Sequence, residues 1–185
     1  MKIEIVEVFG VAVPLIGEYK NAYLSKSIQK SAIVRITATG GVVGLGNIDP
    51  TPGYSKEQTV DHLRVLETRL KPLLIGMDPT AIDEIWDTAY VRGGHKEFGT
   101  RGIGVVALSG VDVALWDILG KVRGVPLYQL LGGKVRDKVP VYATALYPEE
   151  PSKVARRARE FADQGFHGVK IKVGFDLDQD IRIVR

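Results

Sequence analysis

The chain of 185 residues is 45% hydrophobic and 25% charged, carries a net charge of +3 at pH 7 and contains no cysteine; this allows one full hydrophobic core, or one and part of another, and excludes a disulfide framework, thiolate chemistry and any cysteine-based metal site. Lys and Arg are spread along the chain instead of forming a dense stripe interleaved with aromatics, so no nucleic-acid partner is expected. The opening MKIEIVEVFG lacks the apolar core of a signal peptide and no apolar run approaches the length of a membrane span, so we expect a cytoplasmic protein with no membrane partner.

Residues 2–13, KIEIVEVFGVAV, alternate with period two and predict a strand. A polar segment, Leu15–Lys30, follows. SAIVRITATGGVVGLGNI (Ser31–Ile48) predicts a β-hairpin turning at Gly40 and Gly41, and DPTPGY (Asp49–Tyr54) a second loop. Ser55 and Gln58 form a capping box that opens a helix with Val60, Leu63, Leu66 and Leu70 on its apolar face, ending near Pro72 and Gly76. A second helix starts near Pro79 and includes Ile82, Ile85 and Trp86. The Gly-rich loop RGGHKEFGTRG separates it from a strongly apolar third helix, Ile103–Lys121, and the short helical piece PLYQLLGG closes this region near Gly133.

The pattern then changes. VPVYATA (Val139–Ala145) predicts a strand, Ser152 an N-cap, and KVARRAREFADQ (Lys153–Gln164) a helix ended by Gly165. GFHGVKIKVG (Gly165–Gly174) predicts a second strand, and DLDQDIRIVR opens another helix. Strand, helix, strand, helix at this spacing is a parallel βαβ unit. The expectation is therefore an α+β domain over residues 1–135 and, over 136–185, the first two βα units of something larger. Two strands do not close a (β/α) barrel, which takes about 250 residues, so the chain reads as the N-terminal half of an enzyme.

The second of these strands carries Lys170 and Lys172, two positions apart and hence on one side, with Val169, Ile171 and Val173 on the other. Either that side is water or it is a site that needs two positive charges together. Strands of parallel arrays are usually buried on both faces, and barrel enzymes keep their chemistry at the C-terminal ends of the strands. There, two like charges disfavour each other's charged form, which makes a neutral amine accessible as a base for a proton next to a carbonyl. The lysine that stays charged can hold a carboxylate or the enolate formed from it.

Other motifs read as structure. The glycines of GGVVGLG (Gly40–Gly46) and GTRGIG (Gly99–Gly104) do not fit phosphate loops and predict turns and helix entries. DLDQD (Asp176–Asp180) lacks the glycine and glutamate of a calcium loop and reads as acidic residues at a helix N-terminus. His62, His95 and His167 have no zinc-site spacing. Asp112 and Asp117, on the third helix, cap, pair or reach solvent.

ALSGVDVALWDILGKVRGVPLYQLLGG, then VPVYATA, then GFHGVKIKVGFDLDQDIRIVR, resemble the mandelate racemase and muconate lactonizing branch of the enolase superfamily, most closely its mandelate racemase-like members. The resemblance implies an α+β capping domain followed by a modified (β/α) TIM-type barrel, incomplete in this chain. It implies Mg²⁺-dependent removal of the proton α to a carboxylate, giving a metal-stabilised enediolate. Lys172 is then the base and Lys170 holds a carboxylate oxygen. Thr144, at the end of the first barrel strand, is a substrate contact. Two capping loops, matching Leu15–Lys30 and Asn47–Tyr54, close over the substrate and offer Tyr19, Tyr23, Asn47 and Tyr54. The Mg²⁺ ligands and the opposing acid/base group are expected beyond residue 185, with none in this chain, so the 185 residues alone are expected to be inactive. The substrate is expected to be a small hydroxy acid or acid sugar, the reaction racemisation, epimerisation or dehydration, and the protein a homo-oligomer. A muconate-type cycloisomerase or dipeptide epimerase is the alternative within enzymes; a non-catalytic capping domain kept for assembly or ligand binding is the alternative outside them.

Overall fold

The alternating residues near the N-terminus form strand β1 (Ile3–Lys20), which lies beside β2 (Ser25–Ala38), itself paired with β3 (Val42–Ile48), in the order β1-β2-β3. The computed structural model describes residues 1–20, 25–49, 59–92 and 102–185. They divide into two compact units, Met1–Pro14 with Ile28–Lys134 and Leu15–Ser27 with Val135–Arg185.

In the first unit, β2 and β3 pair antiparallel from Ala32↔Ile48 to Ala38↔Val42. Gly40 and Gly41 make the turn with φ of 87° and 76°, a region open to glycine at little cost. Ala32, Val34, Ile36 and Ala38 of β2 and Ile48 of β3 are buried. On the other side Arg35 pairs with Glu7 at 2.5 Å. Helices α1 (Thr59–Val65), α2 (Lys71–Leu74) and α3 (Ile82–Trp86) precede the long α4 (Ile103–Arg123) and short α5 (Leu127–Leu130). α1 and α3 pack on α4, and α4 packs on β3. Ala107, Val111, Ala114, Leu115 and Ile118 of α4 complete the core; each large aliphatic side chain so buried contributes about 1.5–3 kcal/mol.

Several expectations need correction here. The helix after the second loop buries His62, Leu66, Leu70 and Leu74, four apart, while Val60 is 58% exposed. A π-helical turn, Leu66–Leu70, joins α1 to α2 and widens the repeat beyond 3.6 residues. It ends beside Pro72, which has no N–H to continue the ladder. A second π-helical segment, Asp87–Arg92, extends α3. α3 starts three residues after Pro79, because Asp78 first closes a turn in which its Oδ1 accepts from Thr80 N and Oγ1 at 2.9 and 2.8 Å. Gly44 and Gly46 are not turn residues: a Cβ on Gly46 would lie 1.8 Å from Gly110 O, and one on Gly44 2.1 Å from Ala114 O. They let α4 lie against β3. α4 is also long and apolar enough to cross a membrane by length and composition, contrary to the expectation that no run is; its apolarity goes into this core. The capping box of Ser55 and Gln58, His95 and most of the Gly-rich loop lie outside the described residues.

In the second unit, the described part of the polar segment expected as a loop is extended: residues 15–20 end β1 and 25–27 open β2, and Ser25 Oγ donates to Glu18. Ile16 is fully exposed, so no apolar face announces this hairpin arm. β4 (Ala143–Leu146) and β5 (Val169–Ile171) are shorter than expected; Val139, Val141, Tyr142 and Val173 are exposed. Helix α6 (Pro151–Asp163) is capped by Glu150, not Ser152. Hydrogen bonds from the Ser152 side chain and backbone hold the Glu150 carboxyl below its ordinary range. Helix α7 (Leu177–Val184) is capped by Asp176, whose Oδ1 accepts from Gln179 N at 2.8 Å.

Candidate active site

β4 and β5 run parallel, with Ala143 opposite Val169 and Leu146 opposite Ile171. β4 takes three steps where β5 takes two, an irregularity of the kind that re-aims side chains at strand ends. Thr144 lies in this step and is exposed. Lys172 follows β5 directly, and its N–H donates to Leu146 O at 2.8 Å. The loops beyond both strands are also tied down. Gly174 N donates to Asp180 Oδ2 at 2.7 Å, and Gln179 Nε2 to Pro148 O at 3.4 Å. Asp180 Oδ1 is buried without a partner among the described residues.

Lys170, in β5, is exposed, and Lys172, directly after it, is half-buried. Among the described residues no carboxylate pairs with either ammonium. Lys172 Nζ instead faces the ring of Tyr19, 5.7 Å from its centroid. Lys26 Nζ lies 5.2 Å from the same centroid, and Tyr147 meets the ring edge-on at 6.4 Å and 87°. All of these residues belong to the second unit.

The second unit therefore brings together Tyr19 and Lys172, and carries Lys170 and Thr144. Asn47 belongs to the first unit, where its Oδ1 accepts from Ser31 Oγ at 2.5 Å. Tyr23 and Tyr54 lie outside the described residues. Sequence reasoning missed Tyr147 and Lys26. Tyr147 had a signal in its place two residues beyond the end of a predicted strand; Lys26, in an unpatterned polar segment, had none.

Of the histidines, His62 is buried in α1 and His167 exposed. Among the described residues no three His, Asp or Glu side chains converge to hold a metal ion. They do not fit a magnesium site. An apolar groove of about 520 Å³ in the first unit is lined by Leu45, Val113, Trp116, Asp117, Lys121 and Leu127. Its two charged side chains bond to each other and to the backbone of β3, so it presents no comparable pair of cations.

The family described as mandelate racemase / muconate lactonizing enzyme, N-terminal domain, matches residues 3–132. The chain is 41% identical over 115 residues to the D-galactarolactone cycloisomerase of Agrobacterium fabrum, covering 60% of this chain and 30% of that protein. It is 41% identical over 150 residues to the arabinonate dehydratase of Saccharolobus solfataricus, covering 79% of this chain and 38% of that one. The N-succinyl-L-Arg/Lys racemase of Bacillus cereus is 30% identical over 186 residues, covering 98% of this chain and 47% of the racemase. The racemase's crystal structure matches with a TM-score of 0.86 at 27% identity, over 100% of this chain and 47% of that chain. The chain thus spans less than half the length of each of these relatives. The capping-domain fold and the match over most of its residues show that the chain belongs to the mandelate racemase / muconate lactonizing enzyme family of the enolase superfamily.

Proposed function

We propose that this chain carries the base side of an active site that removes the α-proton of a carboxylate substrate, an acid sugar or hydroxy acid. The observation that carries this reading is the pair Lys170 and Lys172: two lysines, one in β5 and one directly after it, with no carboxylate partner among the described residues. Such a pair attracts an anion. Lys170, charged, holds a carboxylate oxygen of the substrate, and Lys172, as the neutral amine, takes the α-proton on Nζ and becomes the ammonium. As the proton leaves, negative charge builds on the carboxylate, where the Lys170 ammonium opposes it. Thr144, exposed on the neighbouring strand, offers a hydroxyl to the substrate. Magnesium enters only through family membership; the described residues do not fit it, and no step here runs through it.

Two of the relatives, by their names, act on an acid sugar or its lactone, which supports that substrate class. Dehydration, with loss of the β-hydroxyl after α-proton removal, is the ending we favour. The similarity to a cycloisomerase supports a second ending, ring opening or closure from the same enediolate. We expect the 185 residues by themselves to turn over nothing, since the matched part is under half of each relative.

The test follows the α-hydrogen. With α-deuterated acid sugars, the protein purified from its native source should release the label to water. Lys172→Ala should slow release by about a hundredfold or more, and Lys170→Ala should mainly raise KM. Release that survives in Lys172→Ala contradicts the assignment, and release by the isolated 185-residue chain contradicts its inactivity.

A further inference from the structure

The hairpin arm at the end of β1 and the start of β2 was expected to offer Tyr19 to the substrate. Tyr19 meets the base instead. Its ring lies 5.7 Å from Lys172 Nζ and edge-on to Tyr147, 6.4 Å between centroids. Lys172 stands directly after β5 and Tyr147 directly after β4, so one ring on the arm spans the C-terminal ends of both parallel strands. Lys26, on the returning strand of the arm, faces the same ring at 5.2 Å. The face of an aromatic ring attracts an ammonium through its quadrupole and has no such attraction for a neutral amine.

We propose that Tyr19 is a positioning residue for Lys172: its ring docks the arm on the protonated lysine and fixes the Nζ at the mouth of the strand pair. The inference rests on the reading of Lys172 as the base. In that reading the proton taken from the substrate carbon turns the Lys172 amine into the ammonium that the ring attracts. Arm docking is then strongest just after abstraction, while the enediolate must be kept from water.

Two measurements test this. On the 185-residue chain, lysines are dimethylated with ¹³C, which keeps their charge, and the Lys172 signal is identified by its loss in Lys172→Arg. The ring current of Tyr19 should displace that signal. Tyr19→Leu should return it toward the exposed lysines, Tyr19→Phe should restore the displacement, and the lysine signals other than those of Lys172 and Lys26 should report an intact fold. In the native protein, Tyr19→Leu should lower kcat by about threefold to thirtyfold with KM little changed, and Tyr19→Phe should recover it. A Lys172 signal indifferent to Tyr19→Leu overturns the proposal. So does an unchanged kcat in Tyr19→Leu when Lys172→Ala is inactive. Full activity in Lys172→Ala overturns the reading of the base and, with it, this role for Tyr19.

Discussion

Asp117 shows how one side chain on α4 finishes a sheet edge. β3 is an outer strand of the β1-β2-β3 sheet, so its outward N–H and C=O groups need partners or invite another chain. The Asp117 carboxylate accepts from Leu45 N at 2.9 Å and from Lys121 Nζ at 2.7 Å, while Lys121 also donates to Val43 O at 2.7 Å. Asp117→Ala should therefore destabilise the first unit by about 1 kcal/mol, read as a lower urea midpoint at unchanged slope; an unmoved midpoint would show that water replaces the carboxylate without loss. Asp112 behaves differently. Burial pushes its carboxyl above the ordinary value, and the Asp83 carboxylate adds to the rise. Between the ordinary and the raised value the folded chain binds more protons than the unfolded one, so stability falls as pH rises through that window. Asp112→Asn should stabilise the protein near pH 7 and bring no gain near pH 3, below both values. From the sequence, both aspartates were expected to cap, pair or reach solvent, with nothing to choose among these. Their roles depend on which elements lie beside α4, β3 for Asp117 and α3 for Asp112, and no spacing within the helix encodes that.

At the scale of elements, the contact between α4 and β3 rests on missing side chains. Gly46, Gly44 and Gly110 leave room for backbone to approach backbone, and a Cβ on Gly110 would sit 2.5 Å from Ile48 Cγ1. Gly46→Ala must push the helix off the strand, since the clashing atom is a carbonyl oxygen and cannot rotate away. A loss of about 3 kcal/mol or more is expected, against about 0.5 kcal/mol or less for Gly168→Ala, whose Cβ would meet only Tyr142 Cβ at 3.9 Å. Paired urea titrations check both; equal midpoints would contradict this account of the packing. The long helix and the Gly40–Gly41 hairpin were legible because one face of each is buried and the apolar pattern records it. The arm was not, because Ile16 is fully exposed and none of the arm's described side chains is buried. The π-helical turns were missed as well: a pattern read at 3.6 residues per turn put Val60 on the apolar face and left His62 off it.

For the whole molecule, the function we propose lies in one of its two units. The first is a complete core of sheet and helices. The second sets the lysine strand beside the arm, with α6 and α7 closing the βαβ unit. The lysines were legible because strand alternation alone puts Lys170 and Lys172 on one side, and the family resemblance supplied their expected roles. The docking of Tyr19 on Lys172 was not legible, since it joins residues 153 positions apart through a segment without pattern. The most direct test of the central claim, that Lys172 is the base, is the rate at which label leaves the α-carbon of a deuterated acid-sugar substrate in the native protein and in its Lys172→Ala variant. A fall of about a hundredfold or more with substrate still bound is the predicted result. Release at the unaltered rate would place the base elsewhere and leave the two lysines as a wet face of a strand.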